Sequence, residues 1–231
     1  MNQPASAPEL SSLKGEVSHA EPDRLGRLVA RRSAEVRATV PDLELSSDAD
    51  AGAALVLARD RDVPLTAVLV RACALALRET PVANAAYRDG RFELYSRINV
   101  GVTIHSDGAQ ITPALLDADA KSLTQLAAEL DQLHDRAQSG ELTPPELAGT
   151  TFTFADMGPF GVHRYSPLVT APQAAALAAG AVRDAPLLRD GSVVAGSVLT
   201  LTLACDHRIL FGAQAAAFLA RVVAQVESPE P

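Results

Sequence analysis

The chain has 231 residues, 48% of them apolar, so it is long enough to bury a core of its own. Its formal net charge of -8 and its sequence pI near 5.1, without any basic cluster, argue against nucleic acid or anionic lipid as partners. No signal peptide, membrane-spanning stretch or metal-ligand cluster stands out, and the only cysteines, Cys73 and Cys205, lie in apolar runs. These features predict a cytoplasmic protein in a reducing compartment.

The amino-terminal part predicts an arm, a helix and a strand. Residues 1–20 are rich in Pro, Ser and Ala without any period, which indicates a flexible arm ahead of one domain at 21–231. From Pro22 to Val36, apolar residues recur at helical spacing among arginines. We interpret these arginines as a solvated face; the alternative is contact with an acidic donor such as a nucleotide phosphate. Asp42–Ser47 then alternates as a strand.

The middle of the chain predicts two helices, a hairpin and a strand. Ala49–Arg59 and Leu65–Glu79 show helical spacing, and the second is apolar on most sides, so it is predicted to be buried. Asp89-Gly90 predicts a hairpin turn, and the clean alternation of Ile98–Ile104 predicts a strand. His105 follows that strand, where a structural or a substrate-facing role fits it.

The carboxy-terminal half continues the mixture of helices and strands. Lys121–Ser139 is an amphipathic helix closed by Gly140, and a short turn leads from it to a strand at Thr151. Val198–Ala204 alternates as a strand and Ala213–Val226 has the spacing of a helix. The chain thus predicts about five helices and at least seven strands, arranged as a mixed sheet covered by helices on one face.

The connection between the last strand and the last helix holds the strongest candidate for chemistry. Asp206, His207 and Arg208 lie there together, and rigid elements on both sides would hold the imidazole in one orientation. A general base needs such fixation, and the pKa of histidine suits the task near neutrality. The alternative is a histidine that only caps the helix or satisfies a buried carbonyl group.

Four segments resemble one known family, in the family's order. Asp206–Gly212 resembles the Asp-His-Arg-x-x-Asp-Gly signature of dihydrolipoyl acyltransferases, the catalytic cores of 2-oxoacid dehydrogenase complexes. Gly149–Gly161, Ser166–Gly180 and Ile111–Pro113 are similar to three further motifs of that family. The resemblance implies an α/β fold like that of chloramphenicol acetyltransferase, a two-layer α+β sandwich, with the catalytic domain at 21–231.

The resemblance also implies the chemistry, which is acyl transfer from a thioester. In the family, an imidazole at the position of His207 removes the proton of the acceptor thiol or hydroxyl, while a hydroxyl donor stabilises the oxyanion. Acetyl-CoA or an acyl carrier protein thioester would be the co-substrate, and no metal is needed. Asp206 and Arg208 are expected to hold the loop rather than to react.

Two positions depart from the family pattern, and both belong to the site. Phe211 stands where the signature has its second aspartate, and Ala155 stands where the family has its oxyanion serine. Thr151 and Thr153 lie on the same predicted strand face as Ala155, so either could supply the missing donor.

These departures leave three hypotheses. The first, which we favour from sequence, is O-acetylation of a small-molecule alcohol whose pocket Phe211 lines, as in the stand-alone acetyltransferases of spirotetronate pathways that act on tetronate-type polyketide intermediates. The second is a 2-oxoacid dehydrogenase acyltransferase core with an altered site. The third is a catalytically inactive scaffold paralogue.

Assembly is a further implication of the resemblance. Family members form trimers whose active sites lie between neighbours, so a homotrimer is expected. The tail Ala224–Pro231 carries two prolines and two glutamates and offers no apolar anchor for a larger cage. The arm is too short for a lipoyl domain, so the expectation is a discrete trimer that accepts acyl groups from a separate thioester.

Overall fold

The computed structural model describes residues 15–22, 24–106 and 109–230. Most of the predicted arm therefore lies outside the described residues, and residues 15–20 form neither helix nor strand. None of the helices in the described ranges is both long and apolar enough to cross a membrane.

Helices and strands are interspersed along the described residues. The helices are α1 (Arg24–Thr39), α2 (Gly52–Asp60), α3 (Leu65–Glu79), α4 (Leu123–Ser139), α5 (Pro144–Ala148) and α6 (Gly212–Glu227). The strands are β1 (Asp42–Asp50), β2 (Ala85–Arg88), β3 (Arg91–Leu94), β4 (Val100–Val102), β5 (Ile104–Ser106), β6 (Ala109–Ile111), β7 (Ala114–Leu115), β8 (Phe152–Asp156), β9 (Ala175–Ala179), β10 (Arg183–Arg189) and β11 (Ser192–Asp206).

A seven-stranded mixed sheet forms the centre of the protein. Its strand order is β1-β11-β9-β8-β4-β7, and β10 pairs with the first half of β11. Strand β8 runs parallel to β4 and β9, whereas the other pairs are antiparallel. Two small hairpins, β2–β3 and β5–β6, stand apart from this sheet.

The main core lies between one face of the sheet and the helices. Strand alternation turns Phe152 and Phe154 of β8 towards this side, together with leucines of β11. The Phe152 ring meets Phe218 of α6 edge-on, with centroids 5.7 Å apart. The predicted two-layer arrangement, with a mixed sheet and helices on one face, is confirmed for α2, α3, α4 and α6, whereas the end of α1 packs on the other face.

The opposite face of the sheet carries small and polar residues and has a cover of its own. Ala204 of β11 packs there against Val169, from the segment that follows β8, and against Val36 and Val40 at the end of α1. This face contains Thr153 and Ala155, so the side chains of both residues point away from the main helix layer.

Several predicted boundaries are wrong, each for a tertiary reason. Ala49 belongs to β1 rather than to a helix, because β1 stays paired with β11 as far as Asp50. The strand predicted at Ile98–Ile104 divides at Thr103, because β5 leaves the large sheet to pair with β6. Helix α4 begins after Lys121, because Ser122 caps it.

Candidate active site

The loop after β11 is a tight turn with several backbone hydrogen bonds. The backbone N–H groups of Ile209 and Leu210 both donate to the Asp206 carbonyl oxygen, at 2.9 and 3.0 Å. The His207 N–H donates to the carbonyl oxygen of Pro41, just before β1, at 2.9 Å. The loop is therefore fixed to the rigid elements around it, as the sequence predicts.

Asp206 and Arg208 form the internal support of this loop. The Asp206 side chain is 2% exposed and accepts hydrogen bonds from the Arg208 backbone N–H at 2.9 Å and from its guanidinium at 2.6 to 3.1 Å. The guanidinium also lies over the Tyr87 ring, 4.4 Å from its centroid. Hydrogen bonding to Asp206 raises the pKa of Arg208, so the guanidinium keeps its charge and holds the loop.

His207 is presented to solvent by this support. Its side chain is exposed, and its ring meets Phe211 edge-on with centroids 5.8 Å apart. Among the described residues no hydrogen bond reaches the imidazole, whose two nitrogens are therefore available to a ligand. Phe211 is 54% exposed and places an apolar ring beside the imidazole, where the family signature has a carboxylate.

The two threonine candidates are Thr151, just before β8, and Thr153 within it, and both already use their hydroxyl protons in hydrogen bonds to other groups. Thr151 Oγ1 donates to the Asn99 carbonyl oxygen at 3.1 Å and accepts from the Asn99 N–H at 3.0 Å. Thr153 Oγ1 donates to Gln173 Oε1 at 2.8 Å. Both side chains are buried, so breaking these bonds to serve an oxyanion would leave other polar atoms unpaired.

Within one chain, His207 and Ala155 lie far apart. Ala155 is opposite Ala178 on β9, and Ala178 is opposite Thr202 on β11. His207 is five residues farther along the chain than Thr202, which at about 3.3 Å per residue corresponds to roughly 16 Å. A carbonyl group within reach of His207 is therefore beyond the reach of Ala155 in the same chain.

The remaining candidates for chemistry are one histidine, two cysteines and any cluster of metal ligands. The His105 ring packs edge-on against Phe160, with centroids 5.2 Å apart, and does not join the His207 loop. Cys73 and Cys205 are buried, and burial raises the pKa of Cys205 to about 11, so neither is an activated nucleophile. In the part of the chain that is described, no three His, Cys, Asp or Glu side chains are placed to hold a metal ion.

A mixed sheet packed with helices, whose longest strand is followed directly by an exposed histidine beside a buried aspartate, matches the two-layer acyltransferase class that the sequence resemblance implies. A family model described as 2-oxoacid dehydrogenases acyltransferase (catalytic domain) matches residues 26–231. The chain therefore belongs to this family.

Individual relatives agree with this assignment. The dihydrolipoyllysine-residue acetyltransferase component of the Zymomonas mobilis pyruvate dehydrogenase complex is 33% identical over 245 residues, which cover 99% of this chain and 56% of that protein. The dihydrolipoamide acetyltransferase of Azotobacter vinelandii superposes with a TM-score of 0.87 at 26% identity, covering 98% of both chains. The cubic core of a pyruvate dehydrogenase complex gives 0.87 at 27%, again over 98% of both chains.

Two limits accompany these matches. Chloramphenicol acetyltransferase superposes with a TM-score of 0.53 at 16% identity, over 85% of this chain and 92% of that one, so the likeness concerns the fold alone. The chain spans about half the length of the curated relatives it matches.

The Azotobacter structure also bears on the altered positions. Work on that enzyme concerns the catalytic roles of a histidine, a serine 52 residues before it and an asparagine four residues after it. In this chain the same spacings lead from His207 to Ala155 and to Phe211. The two departures seen in the sequence therefore fall on the positions whose role was studied there.

The relatives also bear on the three hypotheses. The Zymomonas and Azotobacter relatives are dihydrolipoyl acetyltransferases and lend no support to a tetronate-type acceptor or to a place in polyketide biosynthesis. They favour the second hypothesis, an acyltransferase core with an altered site.

Proposed function

We propose that this chain is an acetyltransferase core that moves an acetyl group between CoA and a dihydrolipoyl thiol, with His207 as general base. The observation that carries the proposal is the exposed imidazole of His207, to which no described residue hydrogen-bonds, in a loop fixed by the Asp206–Arg208 ion pair in a chain of this family. An inactive scaffold would gain nothing from keeping a histidine supported in this way.

The reaction uses His207 for one proton. Its imidazole removes the proton of the acceptor thiol, and the sulfur attacks the carbonyl carbon of acetyl-CoA while the carbonyl electron pair moves onto oxygen. When the tetrahedral intermediate collapses, the bond from carbon to the CoA sulfur breaks and the imidazolium returns its proton to that sulfur. General-base assistance of this kind accelerates a reaction by about 10²- to 10⁴-fold.

The separation between His207 and Ala155 supports a site shared by two copies of the chain. A distance of roughly 16 Å along β11 cannot be bridged by one tetrahedral carbon. A neighbouring copy that offers its β8 face to His207 would complete the site, as the resemblance implies for a homotrimer. A symmetric ring of three such copies repeats this contact three times and leaves no site incomplete.

A second candidate function is transfer to a hydroxyl group of an apolar alcohol. Phe211 favours it, because an exposed aromatic ring beside the imidazole can bind an apolar acceptor. The co-substrate would again be acetyl-CoA or a carrier protein thioester, and the proton transfer to His207 would be the same.

Product analysis distinguishes the two candidates. Purified chain is incubated with acetyl-CoA and either dihydrolipoamide or a simple aromatic primary alcohol, and the products are followed by mass spectrometry. The proposal expects S-acetyldihydrolipoamide to form far faster than any acetyl ester. Ester formation with the alcohol alone would establish the second candidate, and absence of both products would contradict acyl transfer to either acceptor.

A further inference from the structure

The altered oxyanion position raises the question of which group donates a hydrogen bond there. Ala155 has no donor in its side chain, and the hydroxyl protons of Thr151 and Thr153 are committed to Asn99 and Gln173. Strand β4 borders β8 on the side away from β9, so its residues also lie next to Ala155.

Register places Thr103 beside Ala155. Val102 is opposite Phe154 in the parallel pair of β4 and β8, and the Thr103 N–H donates to the Phe154 carbonyl oxygen at 2.9 Å. The register therefore continues for one more residue and aligns Thr103 with Ala155. Adjacent strands lie about 4.8 Å apart, so the two side chains are immediate neighbours.

The Thr103 side chain is also on the correct face. Val100 and Val102 belong to the core under the helices, so alternation turns Thr103 to the opposite side, where Ala155 lies. Its side chain is buried, and a donor held away from bulk water stabilises a developing charge more strongly than an exposed one.

The hydroxyl proton of Thr103 is available to a ligand, whereas those of Thr151 and Thr153 are already used in hydrogen bonds. Among the described residues its one hydrogen-bond neighbour is Thr112 Oγ1, at 3.4 Å. That distance exceeds the usual 2.5 to 3.0 Å for two oxygens, so this bond is weak. Either hydroxyl can donate, and when Thr112 does so the proton of Thr103 is free.

We propose that Thr103 donates the hydrogen bond to the oxyanion that a serine at position 155 provides in relatives. This inference rests on the proposed function. In the step concerned, the acceptor sulfur bonds to the thioester carbon, the carbonyl electron pair moves to oxygen, and the Thr103 O–H donates to that oxygen without giving up its proton. Collapse then expels the CoA sulfur and releases this hydrogen bond.

Kinetics of four variants test the assignment, with acetyl-CoA and dihydrolipoamide as substrates. Thr103→Val keeps the shape of the side chain and removes the hydroxyl, so kcat should fall by about 10²- to 10³-fold with KM little changed. Thr103→Ser keeps a hydroxyl and should stay within about tenfold of the natural chain. The matched control Thr112→Val removes the neighbouring hydroxyl and should leave kcat within about threefold. Adding Ala155→Ser to Thr103→Val should recover most of the lost rate, since a hydroxyl returns beside the same oxygen.

The outcomes separate this inference from the proposed function. If the natural chain transfers acetyl groups and Thr103→Val remains within threefold of it, the Thr103 assignment is wrong while the proposed function stands. Equal losses in Thr103→Val and Thr112→Val, without rescue by Ala155→Ser, would show a structural role and would also overturn the assignment. An inactive natural chain would overturn the proposed function and the role of Thr103 with it.

Discussion

At the scale of single residues, the support beneath His207 can be tested apart from catalysis. The Asp206 carboxylate is buried and paired with Arg208, whose guanidinium is about one third exposed. Asp206→Asn removes the charge but keeps the shape, and should lower the free energy of unfolding by about 1–3 kcal/mol, because Arg208 loses its buried partner.

Urea unfolding followed by circular dichroism measures this change. Asp42 is a matched control, since it is opposite Asp206 on β1 and pairs with Arg37 through a half-exposed side chain. Asp42→Asn should cost less than about 1 kcal/mol. Equal costs for the two variants would mean that the Asp206 pair has no special structural role.

At this scale the sequence predicts where the His207 loop lies, but it does not predict which hydrogen bonds the residues around Ala155 make. The Asp-His-Arg motif is local, so its place between a strand and a helix is visible in the pattern of neighbouring residues. The Thr151 and Thr153 hydroxyls donate to Asn99 and Gln173, which are distant in sequence. No local pattern reveals these hydrogen bonds. The register that puts Thr103 beside Ala155 is likewise a product of the folded sheet.

At the scale of elements, the end of β9 depends on close contact with the segment that covers the sheet. A Cβ atom at Gly180 would lie 2.0 Å from the carbonyl oxygen of His163, which is backbone and cannot rotate away. Gly180→Ala should therefore destabilise the protein by at least about 1–3 kcal/mol, the usual cost of overpacking.

Thermal unfolding compares this variant with Gly212→Ala. Gly212 is the first residue of α6, and no heavy atom lies within 4 Å of a Cβ built there. Alanine also forms helices better than glycine, so the control should melt at or above the natural temperature. If Gly180→Ala has the same melting temperature as Gly212→Ala, the covering segment does not pack closely against the end of β9.

The short helix α5 gives a pH-dependent prediction. Burial alone would raise the pKa of Glu146, but hydrogen bonds from Thr143 and Arg136 outweigh it, and the pKa lies below its ordinary value. A carboxyl group with a lowered folded-state pKa stabilises the protein above its unfolded pKa, and that stabilisation is lost as pH falls through the folded pKa.

Glu146→Gln removes the titrating group and should cost up to about 1 kcal/mol at neutral pH. The difference in melting temperature between the two proteins should shrink progressively as pH falls below the ordinary pKa of a glutamate, because protonation of Glu146 in the folded state removes its hydrogen-bonded carboxylate. A difference that stays constant with pH would exclude the carboxylate as its source.

Element types followed from the sequence more reliably than element lengths. Leu65–Glu79 matches α3 at both ends, because its apolar spacing and the following proline mark the boundaries. The sequence does not predict the first half of β11 or its partner β10. Exposed residues interrupt the apolar alternation there, so these strands are recognised only by their pairing in the folded protein. The sequence predicts a turn where α5 lies, since five residues are too few to show a period.

At the scale of the whole molecule, the proposed site needs a second copy of the chain. We expect light scattering on a sizing column to give about three times the 24.1 kDa chain mass. A monomer would contradict the shared site.

We propose that His207 performs the proton transfer in this member of the acyltransferase family. The most direct test of this proposal is the rate of acetyl transfer from acetyl-CoA to dihydrolipoamide by the natural chain, by His207→Ala and by the control His163→Ala, whose histidine is exposed on the segment after β8. We expect His207→Ala to lose at least about 10²-fold in kcat and His163→Ala to keep its rate. A natural chain that transfers acetyl groups, together with a His207→Ala variant within about tenfold of it, would contradict the proposal.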